Sequence, residues 1–174
     1  NITAKKPGTT TITITTPNGI EKEITVTVEN PAAEGVSLDK TNVTIITGSK
    51  ETLTATVTPS NAKDKTVTWT SSDQEVVTVN NGELTAIAPG SATITVTTVN
   101  GHTATSNITV QNPEADGITI GSNITIKVGA THQFIASITP ENARDKTVTW
   151  TSSNKSVAEV DSTGLVTAQG AGET

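Results

Sequence analysis

One segment of this chain is written twice. Asp64-Lys65-Thr66-Val67-Thr68-Trp69-Thr70-Ser71-Ser72 recurs as Asp145-Lys146-Thr147-Val148-Thr149-Trp150-Thr151-Ser152-Ser153, 81 residues further on. Gly48, Pro59 and Asn61 recur at the same offset as Gly129, Pro140 and Asn142. Asn30-Pro31 recurs as Asn112-Pro113, and Gly82 and Gly90 as Gly164 and Gly172, at an offset of 82. The first residues keep that register: Thr3-Ala4, Gly8, Ile12 and Gly19 match Thr85-Ala86, Gly90, Ile94 and Gly101. Single-residue changes in loops account for the slip between the two offsets. A repeat of this length marks a chain built from one module many times over, in which a part-copy cannot close its own core.

The register divides the chain into residues 1–30, the closing part of one module, 31–112, a complete module, and 113–174, the opening part of another. Two expectations follow. Either the chain is a window on a longer array, or residues 1–28 of one molecule complete residues 117–174 of the next by strand exchange.

Composition decides what the module is made of. Threonine supplies about a fifth of the residues, twice the usual share of even a common amino acid. With Val and Ile it makes the chain overwhelmingly β-branched, which suits a pleated strand better than a helix. No window shows an apolar period of 3.6 residues. An all-β fold follows.

Within the complete module the strands can be read in order. Val36 and Leu38 open it, and Val43 and Ile45 lead to a turn at Gly48. Leu53, Ala55 and Val57 alternate with threonines as one strand, ended by Pro59, which removes a ladder donor. Val67 and Trp69 share a face, followed by Val77 and Val79. Asn81-Gly82 is a two-residue hairpin signal, because a type I′ turn needs positive φ at both positions. Leu84 and Ala86 follow, then Ala92, Ile94 and Val96. A second hairpin signal at Asn100-Gly101, matched by Asn18-Gly19, precedes Ile108 and Val110. Seven or eight short strands in about 80 residues, with turns every eight to twelve, predict a β-sandwich of immunoglobulin type, a closed barrel being the alternative.

Val57-Thr58-Pro59-Ser60-Asn61-Ala62, Val67-Thr68-Trp69-Thr70-Ser71-Ser72-Asp73, Val79, Gly82, Leu84-Thr85-Ala86, Gly90 and Ala92-Thr93-Ile94-Thr95-Val96 together resemble the bacterial immunoglobulin-like group 2 family. The same pattern runs from Ile138 to Gly172, and its end from Thr3 to Val28. The resemblance implies tandem immunoglobulin-like β-sandwich modules of the kind found outside bacterial cells, in surface proteins and adhesins, and on phage virions. It implies no catalytic residues.

The chemistry-bearing residues fit that picture. His102 and His132 lie at non-equivalent positions, and no spacing of His with carboxylates suggests zinc. No nucleophile elbow, metalloprotease motif or phosphate loop is present, so no enzymatic activity and no cofactor are expected. Cysteine is absent, which excludes disulfides and thiol chemistry. Trp69 and Trp150 share parity with Val67 and Val148 and are expected in the core, a sugar-stacking platform being the alternative. Glu34 and Asp116 stand in matching acidic linkers. With Asp73 or Glu75 they are the candidate oxygen ligands for Ca²⁺ at a module junction. No Asp-x-Asp-x-Asp loop supports that role, and a solvated polar linker with no metal is the expectation.

A net charge of −6 without a basic block argues against nucleic acid as a partner. Apolar runs of only a few residues argue against membrane insertion. The expected partners are neighbouring modules of the same or adjacent chains, with a cell-surface glycan or protein as the alternative. The functional expectation is an extracellular spacer or stalk, or else a module that adheres directly.

Overall fold

The computed structural model describes residues 1–174, which divide into two compact units, Asn1–Val110 and Gln111–Thr174. All regular structure is β. In the first unit, β1 (Gly8–Thr15) and β2 (Glu21–Val28) form a hairpin. Nine strands follow: β3 (Gly35–Leu38), β4 (Asn42–Ile46), β5 (Lys50–Thr52), β6 (Ala55–Thr58), β7 (Val67–Ser71), β8 (Val77–Asn80), β9 (Glu83–Ala86), β10 (Gly90–Thr98) and β11 (Thr103–Gln111). The second unit holds β12 (Gly117–Thr119), β13 (Thr131–Gln133), β14 (Ser137–Thr139), β15 (Ala158–Val160) and β16 (Leu165–Ala168).

The nine strands make two layers. One is a four-stranded sheet ordered β4-β11-β10-β7. The other consists of the pair β3-β6 and the triple β5-β9-β8. Alternating apolar residues from both layers meet in one core, where Leu53, Val77, Leu84, Ile94, Val96, Ile108 and Val110 are at most 2% exposed. The threonines between them face outward, so each strand keeps β propensity on both faces while burying only one. A satellite cluster of Ala33, Val57 and Ala62 sits where the chain enters the module.

The expected strand through Leu53, Ala55 and Val57 is in fact two. β5 pairs with β9 and β6 with β3, and the ladder breaks at Leu53-Thr54. There the Leu53 amide donates to Gly82 O (2.9 Å), and the Thr54 amide to Asp39 Oδ1 (2.7 Å). Both bonds divert the backbone from its neighbours without disturbing the alternation of side chains. The module therefore has nine strands rather than the expected seven or eight.

The two hairpin signals also part company. At Asn81-Gly82 both φ angles are positive (49° and 87°), and Asn80 pairs with Glu83, giving the two-residue turn. At Asn100-Gly101 only the glycine has positive φ. The loop is three residues long, closed by the Thr98 amide donating to His102 O (2.9 Å). The Thr98 hydroxyl, bonded to Asn100 Oδ1, stabilises this wider loop, an option the sequence Asn-Gly alone does not reveal.

In the second unit only one layer is present as strands. The pair β12-β14 and the triple β13-β16-β15 reproduce β3-β6 and β5-β9-β8 in the same register. Residues 123–127 and 148–152, the counterparts of β4 and β7, are not strands.

Candidate functional site

The residues singled out in the sequence do not converge. Glu34 sits just before β3, where its amide donates to Thr58 O (2.7 Å). Asp73 lies in the loop after β7, and its Oδ1 accepts the Glu75 amide (2.9 Å) in a local turn. Asp116 occupies the Glu34 position of the second unit, its amide donating to Thr139 O (2.8 Å). No three His, Asp or Glu side chains gather into a group fit to hold a metal ion.

His102 closes the β10–β11 loop, its amide donating to Thr98 Oγ1 (3.0 Å). His132, on β13, meets Phe134 edge to face at 4.9 Å. Phe134 in turn stacks on Trp150 at 6.4 Å.

Trp69 packs against the main core of the first unit. Its ring also covers the hairpin glycine: a Cβ on Gly82 would lie 3.3 Å from Trp69 Cζ2 and 2.4 Å from Leu53 O. Trp150 covers Gly164 in the same way, where a Cβ would lie 2.8 Å from both Trp150 Cζ2 and Phe134 O. Glycine is required at both places because the φ is positive and a backbone carbonyl, Leu53 O or Phe134 O, leaves no room for a Cβ. Around Gly164 the turn is one residue longer. Asp161 anchors it by accepting bonds from the Thr163 hydroxyl and from the Thr163 and Leu165 amides. These bonds, the hydroxyl's foremost, hold the Asp161 carboxyl below its ordinary value.

A polar feature that the sequence reading missed occurs in both units at the segment leading into the first strand. In the first unit the Lys63 amide donates to Pro31 O (2.8 Å), and Lys63 Nζ reaches Glu29 Oε2 (2.9 Å). In the second unit the Arg144 amide donates to Pro113 O (2.8 Å), and the Arg144 guanidinium bonds Gln111 Oε1 (2.7 Å) and Glu114. Ala62 and Ala143, each buried beside its cation, seat the loop that presents it. The proline segment is thus fastened by one backbone bond and one cationic side chain in each unit. No motif announces this, because Lys is replaced by Arg and Glu29 by Gln111. Only the repeat register brings the two sets into line.

A sandwich of two β layers with a Trp on β7, whose β3-β6 and β5-β9-β8 layer recurs in register further along the chain, defines an immunoglobulin-like tandem protein. A model of the bacterial Ig-like domain (group 2) matches residues 32–109 and again 114–174, so the chain belongs to that family. It is 45% identical over 51 residues to a 3-O-alpha-D-galactosyl-alpha-L-arabinofuranosidase of Bifidobacterium longum subsp. longum, covering 29% of this chain and 4% of that protein. It is 41% identical over 64 residues to a lacto-N-biosidase of Bifidobacterium bifidum, covering 33% of this chain and 6% of that protein. Among solved structures it is similar to domains 4 and 5 of the S-layer protein SbsC, with a TM-score of 0.43 and 28% identity over 60% of this chain and 58% of that one.

Proposed function

We propose that this chain is a non-catalytic structural stretch of a bacterial extracellular protein, in which tandem Ig-like modules hold other parts at a set distance. On this reading residues 31–112 are a complete module, flanked by the closing part of one (1–30) and the opening part of another (113–174). The observation that carries the reading is the fastening of the entry segment in both units, by Lys63 and by Arg144. A spacer needs each module to leave its linker in a fixed direction, and a backbone bond plus a cation on the linker does that. Each long strand contributes reach: nine-residue β10 and β11 run about 30 Å. The two enzyme relatives support the reading, since the match takes in only 4% and 6% of their lengths, a small part of each protein.

The test is a binding screen of the 174-residue chain against glycan and cell-surface-protein arrays. No saturable binding is expected. Saturable binding that is lost when a loop or Trp150 is changed would replace the spacer by direct adhesion. Calcium and EDTA are both expected to leave the melting temperature unmoved. A rise with calcium, reversed by the chelator, would return Glu34, Asp73 or Asp116 as ligands.

A further inference from the structure

The two layers of the first unit differ in charge. Strands β4, β11, β10 and β7 of the four-stranded sheet contain no Lys, Arg, Asp or Glu, whereas the other layer carries Lys50 and Glu51 on β5 and Glu83 on β9. On the outer face of the four-stranded sheet Thr68, Thr97 and Thr103 stand in one row, and Thr70, Thr95 and Thr105 in the next. β7 is the outermost strand of this sheet, paired with β10 on one side and with no strand on the other. Both β7 and β10 lie inside residues 32–109, the stretch that the family model matches, so the open edge belongs to the module's own fold.

One bond shows which backbone groups lie along that edge. The Ser72 amide donates to Thr93 O (3.0 Å), so in the alternation of an antiparallel ladder Thr68, Thr70 and Ser72 turn their amides and carbonyls toward β10. Those of Val67, Trp69 and Ser71 point the other way. Exposed edges are commonly guarded by a charged side chain, a proline or a bulge. Val-Thr-Trp-Thr-Ser has no charge and no proline, and its register with β10 runs unbroken. Charge appears only beyond its ends, with Lys65 before the strand and Asp73 after it. Both are exposed, and neither joins an ion pair within the chain.

We propose that β7 of one copy of this chain pairs antiparallel with β7 of a second copy, about a two-fold axis at Trp69. In that register Val67 faces the other copy's Ser71 and Trp69 faces Trp69, so every outward backbone group of both strands gains a bond. Thr68 faces Thr70 on the outer face, a favourable cross-strand pair. Lys65 of each copy lies toward Asp73 of the other, one ion pair at each end of the seam. A parallel pairing in register would set Lys65 against Lys65 and Asp73 against Asp73. Neighbouring edges lack this match. Antiparallel self-pairing of β4 about Thr44 would set Lys40 against Gly48, and β8 is flanked by Glu75 and Glu83, which share one sign. The direction of the seam fixes that of the chains. The chain enters the first unit beside the β10–β11 loop, where the Asn100 amide donates to Ala33 O (2.5 Å), and leaves at the far end of β11. β7 and β11 both run antiparallel to β10, so the paired copies head in opposite directions. On the spacer reading this joins stalks from facing surfaces rather than neighbours on one surface.

The chain has no cysteine, so single introduced thiols read the register. Thr68→Cys and Thr70→Cys lie at exposed positions and leave the core untouched. Under mild oxidation a mixture of the two variants is expected to give a disulfide-linked dimer that is lost on reduction. Either variant alone is expected to give far less. Sedimentation velocity of the unaltered chain is expected to show a monomer–dimer equilibrium as concentration rises. Lys65→Glu should weaken it about tenfold, since like charges replace an ion pair at each end of the seam. The exchange Lys65→Glu/Asp73→Lys should restore it. A chain that stays monomeric at every concentration would overturn the proposal. So would equal cross-linking by either cysteine variant alone, or self-association that Lys65→Glu leaves unchanged or that the double exchange fails to recover.

Discussion

Residues 67–71 and 148–152 are the same pentapeptide, Val-Thr-Trp-Thr-Ser, yet only the first is a strand. The first has β10 beside it, with five residues in ladder register. The second has no paired strand within residues 111–174 and borders a cleft with Ile118 and Ile120. Asn42–Ile46 and residues 123–127 make the same contrast, since β4 lies against β11 and no strand within residues 111–174 pairs with its counterpart. Local preference is identical in the first pair and similar in the second, Asn-Val-Thr-Ile-Ile against Asn-Ile-Thr-Ile-Lys, so the difference reflects the ladder partner. Here β propensity expresses fit to a neighbouring strand rather than an intrinsic leaning of the backbone. The layer that both units share, β3-β6 with β5-β9-β8 and its copy, forms in either setting because its partners lie within the same 60 or so residues.

The contrast can be broken or sharpened by substitution. The largest effect is expected at tryptophan. Trp69→Ala should cost about 3 kcal/mol in urea unfolding, the lower end of the loss for a large aromatic, because the ring packs on the core but is only partly buried. Trp150→Ala should cost less, because that ring, also partly buried, borders a cleft beside Ile118 and Ile120. Equal costs would mean that the two units are closed alike. Next is the pair Ile94 and Ile12. Ile94→Ala should cost about 2–5 kcal/mol, and in dilute solution Ile12→Ala should stay within about 0.5 kcal/mol, as for a residue with no core around it.

A smaller change, of opposite sign, is expected at Ser106. Its hydroxyl is buried without a partner in the core of the first unit, opposite Ile94. Ser106→Ala should raise stability by about 1 kcal/mol in thermal or urea unfolding, since it removes an unpaired polar atom and little volume. The hairpin β1–β2 carries Ile24 at this position and needs no such relief.

The smallest effect is one of pH. Asp161 bonds the Thr163 hydroxyl and nearby amides as a carboxylate, so its pKa is lower folded than unfolded. Such a group contributes stability that is fully present above the unfolded pKa and is lost as pH falls through the folded one. Asp161→Asn should therefore flatten the acid limb of the second unit, below the ordinary aspartate range. The first unit, with Asn80 at the start of its shorter turn, should keep its own profile. Hydrogen exchange of the two units across an acid titration would show it.

Much of this architecture could be read from the chain itself. Alternation of Thr with Val, Ile or Ala located the long strands, and Asn81-Gly82 specified its turn by the φ values those two residues tolerate. The break at Leu53-Thr54 left no mark, because the side chains alternate straight through it and only the hydrogen-bond partners change. Asn100-Gly101 marked the β10–β11 hairpin but not its loop length, which the Thr98 hydroxyl sets. The cationic fastening by Lys63 and Arg144 is a contact across about 30 residues of sequence between types that vary from copy to copy. It becomes visible only when the copies are laid on one another. What the second unit would do with an unpaired Val-Thr-Trp-Thr-Ser could not be read at all, since that depends on a neighbour rather than on the segment.

The contact between each tryptophan and its hairpin glycine has an optical consequence. The chain has two Trp and no Tyr, and both indoles lie at one address in the module, over Gly82 and over Gly164. They are a matched pair of chromophores, alike in sequence neighbours and in what lies beneath the ring, but different in what lies beside it. Both are partly buried, Trp69 against the core of the first unit and Trp150 beside a cleft it shares with Ile118 and Ile120. The emission of Trp69 should therefore stay constant as long as the first unit is folded, while that of Trp150 moves to the blue whenever something fills the space beside it. The molecule carries its own gauge of whether that space is occupied, with an internal standard on the same chain.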